Sequence, residues 1–156
     1  MIVSRTLTIA ALVAATPFLI PAASAQECAG PASPVKLYVD VSGIRSATGL
    51  IAVTLYADDS KRFLAKRGSL YVGRVPAKAP NTRVCIHLPS TGIYAFAVYH
   101  DEDANRKINR NAVGLPREGF GFSNNPPTFF SIPAFSRVRV SVPRSGASIG
   151  VKLRYP

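Results

Sequence analysis

Aliphatic residues recur at every second position through most of this chain, with little of the spacing that marks an amphipathic helix. In Val35-Lys36-Leu37-Tyr38-Val39-Asp40-Val41 they occupy one side cleanly. Successive side chains of an extended strand point to opposite faces, so this pattern describes a strand with one buried side. Thr82 to Leu88 repeats it, with Val84, Ile86 and Leu88 facing inward. Leu50–Tyr56, Leu70–Val75, Ile93–His100, Phe135–Val142 and Ile149–Tyr155 complete about seven short strands divided by turn residues. That rhythm predicts an all-β, Greek-key sandwich. The link from Gly43 to Thr48 predicts a hairpin between the first two strands, and Pro143-Arg144-Ser145-Gly146 a closing hairpin between the last two. Lys61–Arg67, capped by an Asp or Ser of Asp58-Asp59-Ser60, is the one helical turn expected.

The first residues belong outside this fold. Arg5 precedes an apolar run, Leu7 to Ile20, broken by Pro21 and followed by the small-residue site Ala23-Ser24-Ala25. This is the grammar of a cleaved signal peptide over 1–25, and the run is short for a membrane span. The expected organisation is a leader, an arm over 26–34 and one β-sandwich domain over 35–156, exported to the periplasm or beyond and not membrane-spanning. Cys28 raises a lipoprotein alternative, but Gln26 and Glu27 are not the small pair that such processing prefers. The two cysteines, Cys28 and Cys85, suit an oxidising compartment and one bridge. Cys85 shares the outward face with Arg83 and His87, so a bridge there would staple the arm onto the outside of the sheet. No Cys-x-x-Cys redox motif is present.

The formal charge of +11 falls by one if Arg5 leaves with the leader. A strongly basic exported chain points to an acidic envelope component, or another protein, as partner. Nucleic acid is not expected, since no arginine-rich helix or RNA-binding aromatic motif occurs. If the last two strands pair, Arg137 and Arg139 line up beside Lys152 and Arg154 as one basic face. That face reads either as a solvated surface that discourages edge pairing or as an acidic-ligand patch.

Leu88 to Asn125 carries the densest signals. Gly92 and Tyr94 follow a turn and resemble a tyrosine corner, in which the hydroxyl bonds back to upstream backbone. Ala95 to Tyr99 is apolar on both faces and reads as a central strand. His100, Asp101, Asp103, Asn105 and Asn109 come next, with the Asp/Asn residues in the oxygen-ligand spacing of a calcium loop. Arg106 replaces the sharp-turn glycine and Ala112 the final bidentate glutamate, a ligand that Glu118 would have to supply. The alternative is a run of Asx-turns that binds nothing. Ser123 and Asn124 complete the candidate binding loop. Phe122, Phe129 and Phe130 are expected to cap one end of the sandwich, or else to form an aromatic platform.

The linked pattern YAFAVYHDEDANRKINRN (94–111) and GLPREGFGFSNN (114–125) resembles the bacterial exported family known as domain of unknown function 2141. The resemblance extends to Val39, Val41, Gly43 and Gly49 and covers nearly the whole domain. The family loop often carries Gly where this chain has Arg106, and Asp where it has Asn109. The resemblance implies an immunoglobulin- or transthyretin-like sandwich and no established activity.

Three functions follow as expectations. The first is a non-catalytic binding or accessory module of the cell envelope, without a cofactor. The second is a calcium-stabilised version of it, using Asp101, Asp103, Asn105 and Asn109. The third and weakest is a hydrolase with His100 and Asp101 as base and Ser123 as nucleophile. Neither a Gly-x-Ser-x-Gly elbow nor a zinc-protease motif supports that last reading. The ring of His100 is expected to anchor the Glu118 loop.

Overall fold

A computed structural model describes residues 27–128 and 132–156. The expected leader and the pair Phe129–Phe130 lie outside the described residues. The strands are β1 (Lys36–Ser42), β2 (Leu50–Ala57), β3 (Tyr71–Pro76), β4 (Asn81–His87), β5 (Gly92–Asp101), β6 (Phe120–Phe122), β7 (Arg139–Val142) and β8 (Ala147–Lys152). A single helical turn, α1 (Phe135–Val138), precedes β7. The strands form two sheets, in the orders β4-β1-β8 and β3-β2-β5-β6, with β7 also on β5.

The alternation in the sequence accounts for the core between the sheets. Leu37, Val39 and Val41 of β1 and Val84 and Ile86 of β4 face Ile51, Val53 and Leu55 of β2 and Phe96 and Val98 of β5. All are essentially buried. Full burial of one such side chain contributes roughly 1.5–3 kcal/mol, so this interior is the main source of stability. The all-β sandwich expected from the sequence is what forms.

Two expected hairpins do not form. β1 pairs with β4 and β8, whereas β2 pairs with β3 and β5, so the link through Gly43 and Gly49 crosses between sheets. Likewise β7 pairs with β5, while β8 runs parallel to β1. The expected basic face is thereby divided: Arg139 opens β7 on the larger sheet with Arg137 in the helical turn before it, whereas Lys152 ends β8 on the smaller sheet and Arg154 lies just beyond it. Alternation says which side of a strand is buried, but both sheets bury toward the same core, so it does not say which sheet a strand joins.

Three local readings also change. Phe120–Phe122, expected as loop, is a short strand paired with Ala97–Tyr99. Phe135–Val138, expected as strand, is the helical turn. Lys61–Arg67 is a series of turns in place of a helix; the Asp59 carboxylate accepts the Lys61 N–H as a cap would, but Leu64 at φ 56° and Arg67 at φ 60° stop propagation.

These turns have a packing role. The outer face of the larger sheet buries Tyr56, Ala95, Phe122 and Val138, with Phe63, Leu64 and Phe135 packed over them. Phe63 touches the rings of Tyr56, Phe122 and Phe135 at centroid separations of 5.2, 6.0 and 5.6 Å. This second cluster is why β5 is apolar on both faces. Phe122 thus packs as the sequence suggested, though on the outer face of a sheet.

The arm is tied down as expected. Cys28 and Cys85 form a disulfide. Ala29 donates to the Cys85 carbonyl and accepts from His87 N–H, which sets it beside Ile86 as a one-residue parallel bridge. With the cysteines 57 positions apart, the closed loop stabilises the fold by up to about 4 kcal/mol in the chain-entropy picture. The corner forms too: the Tyr94 hydroxyl donates to the Ser90 carbonyl at 2.9 Å.

Candidate functional site

β5 ends at Asp101, and the chain then leaves the sheet until Phe120 brings it back beside the same strand. His100, Asp101 and Glu118 sit at the root of this excursion, at 0%, 0% and 3% exposure. Charged groups at such depth need partners, and both carboxylates take theirs from backbone amides. Asp101 Oδ1 accepts the Asn105 N–H at 3.0 Å and Oδ2 the Arg106 N–H at 2.8 Å. Glu118 Oε1 accepts the Glu102 N–H at 2.9 Å and Oε2 the Asn109 N–H at 2.8 Å. One carboxylate from each arm of the excursion therefore fixes the turn between them.

Asp103, Asn105 and Asn109 continue the network at the surface. Asp103 Oδ2 accepts the side-chain amides of Asn105 and Asn109, both at 2.9 Å. The Asn109 amide holds the Asp103 carboxyl below its ordinary value of 3.8, with the Asn105 backbone N–H adding to the effect. Asn105 Oδ1 accepts the Lys107 N–H in an Asx-turn. Asp101, Asp103 and Glu118 each place an oxygen within 4.8 Å of the others. Glu118, the residue the sequence offers in place of the calcium loop's last glutamate, lies beside the two aspartates.

His100 does not anchor the Glu118 loop through its ring. Its Nε2 lies 2.7 Å from the Thr48 carbonyl and its Nδ1 2.7 Å from the Tyr155 hydroxyl. A carbonyl only accepts, so Nε2 carries a hydrogen; in the neutral ring Nδ1 then accepts from Tyr155. It is the His100 backbone N–H that reaches the other arm, at the Gly119 carbonyl. Gly119 has no room for a side chain: a Cβ there would lie 2.4 Å from the Tyr155 ring. Gly49, at φ +69°, would place a Cβ 2.0 Å from the Asp101 carbonyl. The Tyr155 ring also carries the Arg45 guanidinium at 4.5 Å, and burial raises its hydroxyl pKa. Arg45 pairs with Glu102 and holds that carboxyl below its ordinary value of 4.5. Tyr155 ends the last strand expected from the sequence; nothing in the pattern revealed its bond to His100.

Ser123 follows β6 and lies beside β5 at Phe96, away from His100. Its N–H donates to the Phe96 carbonyl, its Oγ accepts the Phe96 N–H at 3.1 Å, and its hydroxyl donates to the Val138 carbonyl. β6 covers β5 at Ala97–Tyr99 and β7 covers it at Gly92–Ala95, so Ser123 fills the gap at Phe96. Asn124 donates to the Arg137 and Arg139 carbonyls, and Asn125 joins the Gly150 carbonyl and the Lys152 N–H. Both asparagines have positive φ, which Asn tolerates better than most residues. Three consecutive side chains thus splice β5, β7 and β8. Phe96 and His100 are four residues apart, roughly 13 Å along a strand, so Ser123 and His100 are not brought together.

The divided basic residues have separate settings. Arg139 forms a two-pronged pair with Asp58 at 2.7 and 2.6 Å. Lys152 and Arg154 line a groove of about 180 Å³ with Phe120, Phe122, Asn125 and Thr128. Phe120 and Arg154 exchange backbone hydrogen bonds and so link the two sheets at that end.

No curated protein and no solved structure matches the chain. A family does, over residues 39–149, which include both carboxylates, the splice residues and every strand but the ends of the first and last. The chain belongs to the bacterial family described as "Uncharacterized protein conserved in bacteria (DUF2141)".

Proposed function

We propose that this protein is a non-catalytic binding or accessory module of the bacterial cell envelope, exported after cleavage behind Ala25. The observation that carries the reading is the use made of the polar residues between His100 and Asn125. Asp101 and Glu118 hold the excursion, His100 braces its root, and Ser123 and Asn124 splice strands. Their hydrogen-bonding capacity is spent on presenting a surface. The disulfide supports an oxidising compartment. Among the described residues no helix is long and apolar enough to cross a membrane.

The test is sedimentation of the processed chain, secreted from its full-length precursor, with isolated envelope fragments. The reading predicts saturable binding that weakens with salt, given the basic charge. Failure to bind at low salt, or turnover of an ester or glycosidic substrate abolished by Ser123→Ala, would overturn it.

A second reading rests on the convergence of Asp101, Asp103 and Glu118. Three carboxylates with nearby amide oxygens form a hard-oxygen set of the kind calcium accepts. Because each carboxylate already accepts N–H groups, the ion would add to a loop that amides also hold. Calcium then raises the melting temperature over EDTA, and Asp101→Ala with Asp103→Ala removes that rise. Identical melting curves in calcium and EDTA would refute this reading.

A further inference from the structure

The far end of the excursion is a miniature hairpin. Arg110 and Pro116 form a bridge, and the Arg117 N–H donates to the Asn109 carbonyl. At its tip Val113 and Leu115 are 79% and 59% exposed. Large aliphatic side chains this open, two residues apart on one turn, gain nothing for the fold.

The tip backbone is unusually self-sufficient for so exposed a loop. Asn111 Oδ1 accepts both the Val113 and Leu115 N–H groups, at 3.1 and 2.9 Å. The Asn111 N–H donates to the Leu115 carbonyl and the Gly114 N–H to the Asn111 carbonyl. Arg110 Nη1 donates to the Gly114 carbonyl. Water is needed for few of these groups, so the tip can enter a medium that offers no hydrogen bonds at a low cost.

The charges around the tip have one sign. Arg110 and Arg117 stand on the two arms, and Arg106 and Lys107 at the foot. All four are exposed, and among the described residues none is in an ion pair. The acidic residues lie at the root of the excursion, away from the tip, and each has partners there: Asp101 and Glu118 are buried against amides, Glu102 pairs with Arg45, and the exposed Asp103 holds the Asn105 and Asn109 amides. An apolar tip ringed by cations matches the boundary of an anionic bilayer, where headgroups meet acyl chains.

We infer that the 106–117 hairpin docks this protein on an anionic phospholipid surface, with Val113 and Leu115 entering the headgroup boundary and the four cations held by lipid phosphates. The inference rests on the envelope-module reading and names its partner.

The chain has no tryptophan, so Val113→Trp installs a single reporter at the tip. The processed Val113→Trp chain is titrated with vesicles of equimolar phosphatidylglycerol and phosphatidylcholine, and with pure phosphatidylcholine. Docking predicts a blue shift of emission with the anionic vesicles only, reversed by salt. In co-sedimentation, Val113→Ser with Leu115→Ser lowers partitioning of the otherwise native chain about tenfold, with an unchanged melting temperature. Arg106→Gln with Lys107→Gln lowers it by a similar factor. No blue shift, or equal binding by the Ser variant, overturns the inference. Binding to envelope fragments but not to anionic vesicles would sink the lipid assignment and leave the module reading standing; binding to neither would sink both.

Discussion

Two connections leave the larger sheet and handle their apolar side chains in opposite ways. The turns after β2, over 58–70, carry Phe63 and Leu64 back onto the sheet, where they roof an aromatic cluster. The excursion after β5, over 102–119, sends Val113 and Leu115 outward and is held at its root by buried carboxylates. The first connection is stabilised by what it covers, the second by what its own polar groups bond. A loop fixed by polar bonds leaves its apolar residues available, and that is the property expected of a docking element.

The comparison can be broken at either connection. Phe63→Ala should have the largest effect, since the ring bridges Tyr56, Phe122 and Phe135. Truncating a core phenylalanine costs roughly 3–5 kcal/mol, and Phe63 is only partly buried. A loss of about 3 kcal/mol in urea unfolding is expected, with envelope binding by the folded fraction unchanged. Asp101→Ala should follow, at about 2 kcal/mol, because it leaves the Arg106 N–H without an acceptor and the Asn105 N–H with only its longer bond to Asp103. Here binding should fall along with stability, since the excursion loses its anchor. If Phe63→Ala impaired binding as much as Asp101→Ala, the division between a roofing loop and a presenting loop would fail. The smallest effect on stability belongs to the tip: the paired serine substitutions at Val113 and Leu115 should stay within about 0.5 kcal/mol of wild type, read by the same unfolding curves.

Much of the architecture was legible because burial imposes period two on each strand. Val39 and Val84 could each be assigned to the core from their neighbours alone, whereas Phe96 could not, since its strand is apolar on both faces. The assignment of strands to sheets was not, since β1 with β2 and β7 with β8 satisfy the same alternation whether paired or facing. The tyrosine corner and the disulfide were legible because each depends on chemistry of its own. In the candidate site, the spacing of Asp101, Asp103 and Asn105 with Glu118 beyond it marked a convergent oxygen cluster. The destination of His100 was hidden, because its partners are a carbonyl at Thr48 and a hydroxyl at Tyr155, distant in sequence and chemically unremarkable. Ser123 resembled a candidate nucleophile in the sequence, yet its hydroxyl replaces a missing ladder bond at Phe96, a role set by where β6 stops and β7 begins.

The account turns on two buried carboxylates holding the excursion in place. Amide hydrogen exchange tests this most directly, read at Asn105, Arg106 and Asn109 in chelator, for wild type and Asp101→Ala. The account predicts slow exchange at all three amides in wild type. In Asp101→Ala Arg106 should become fast and Asn105, left with its longer bond to Asp103, faster than in wild type, while Asn109, held by Glu118, keeps more of its protection. Exchange at the rate of an open chain in wild type would contradict it.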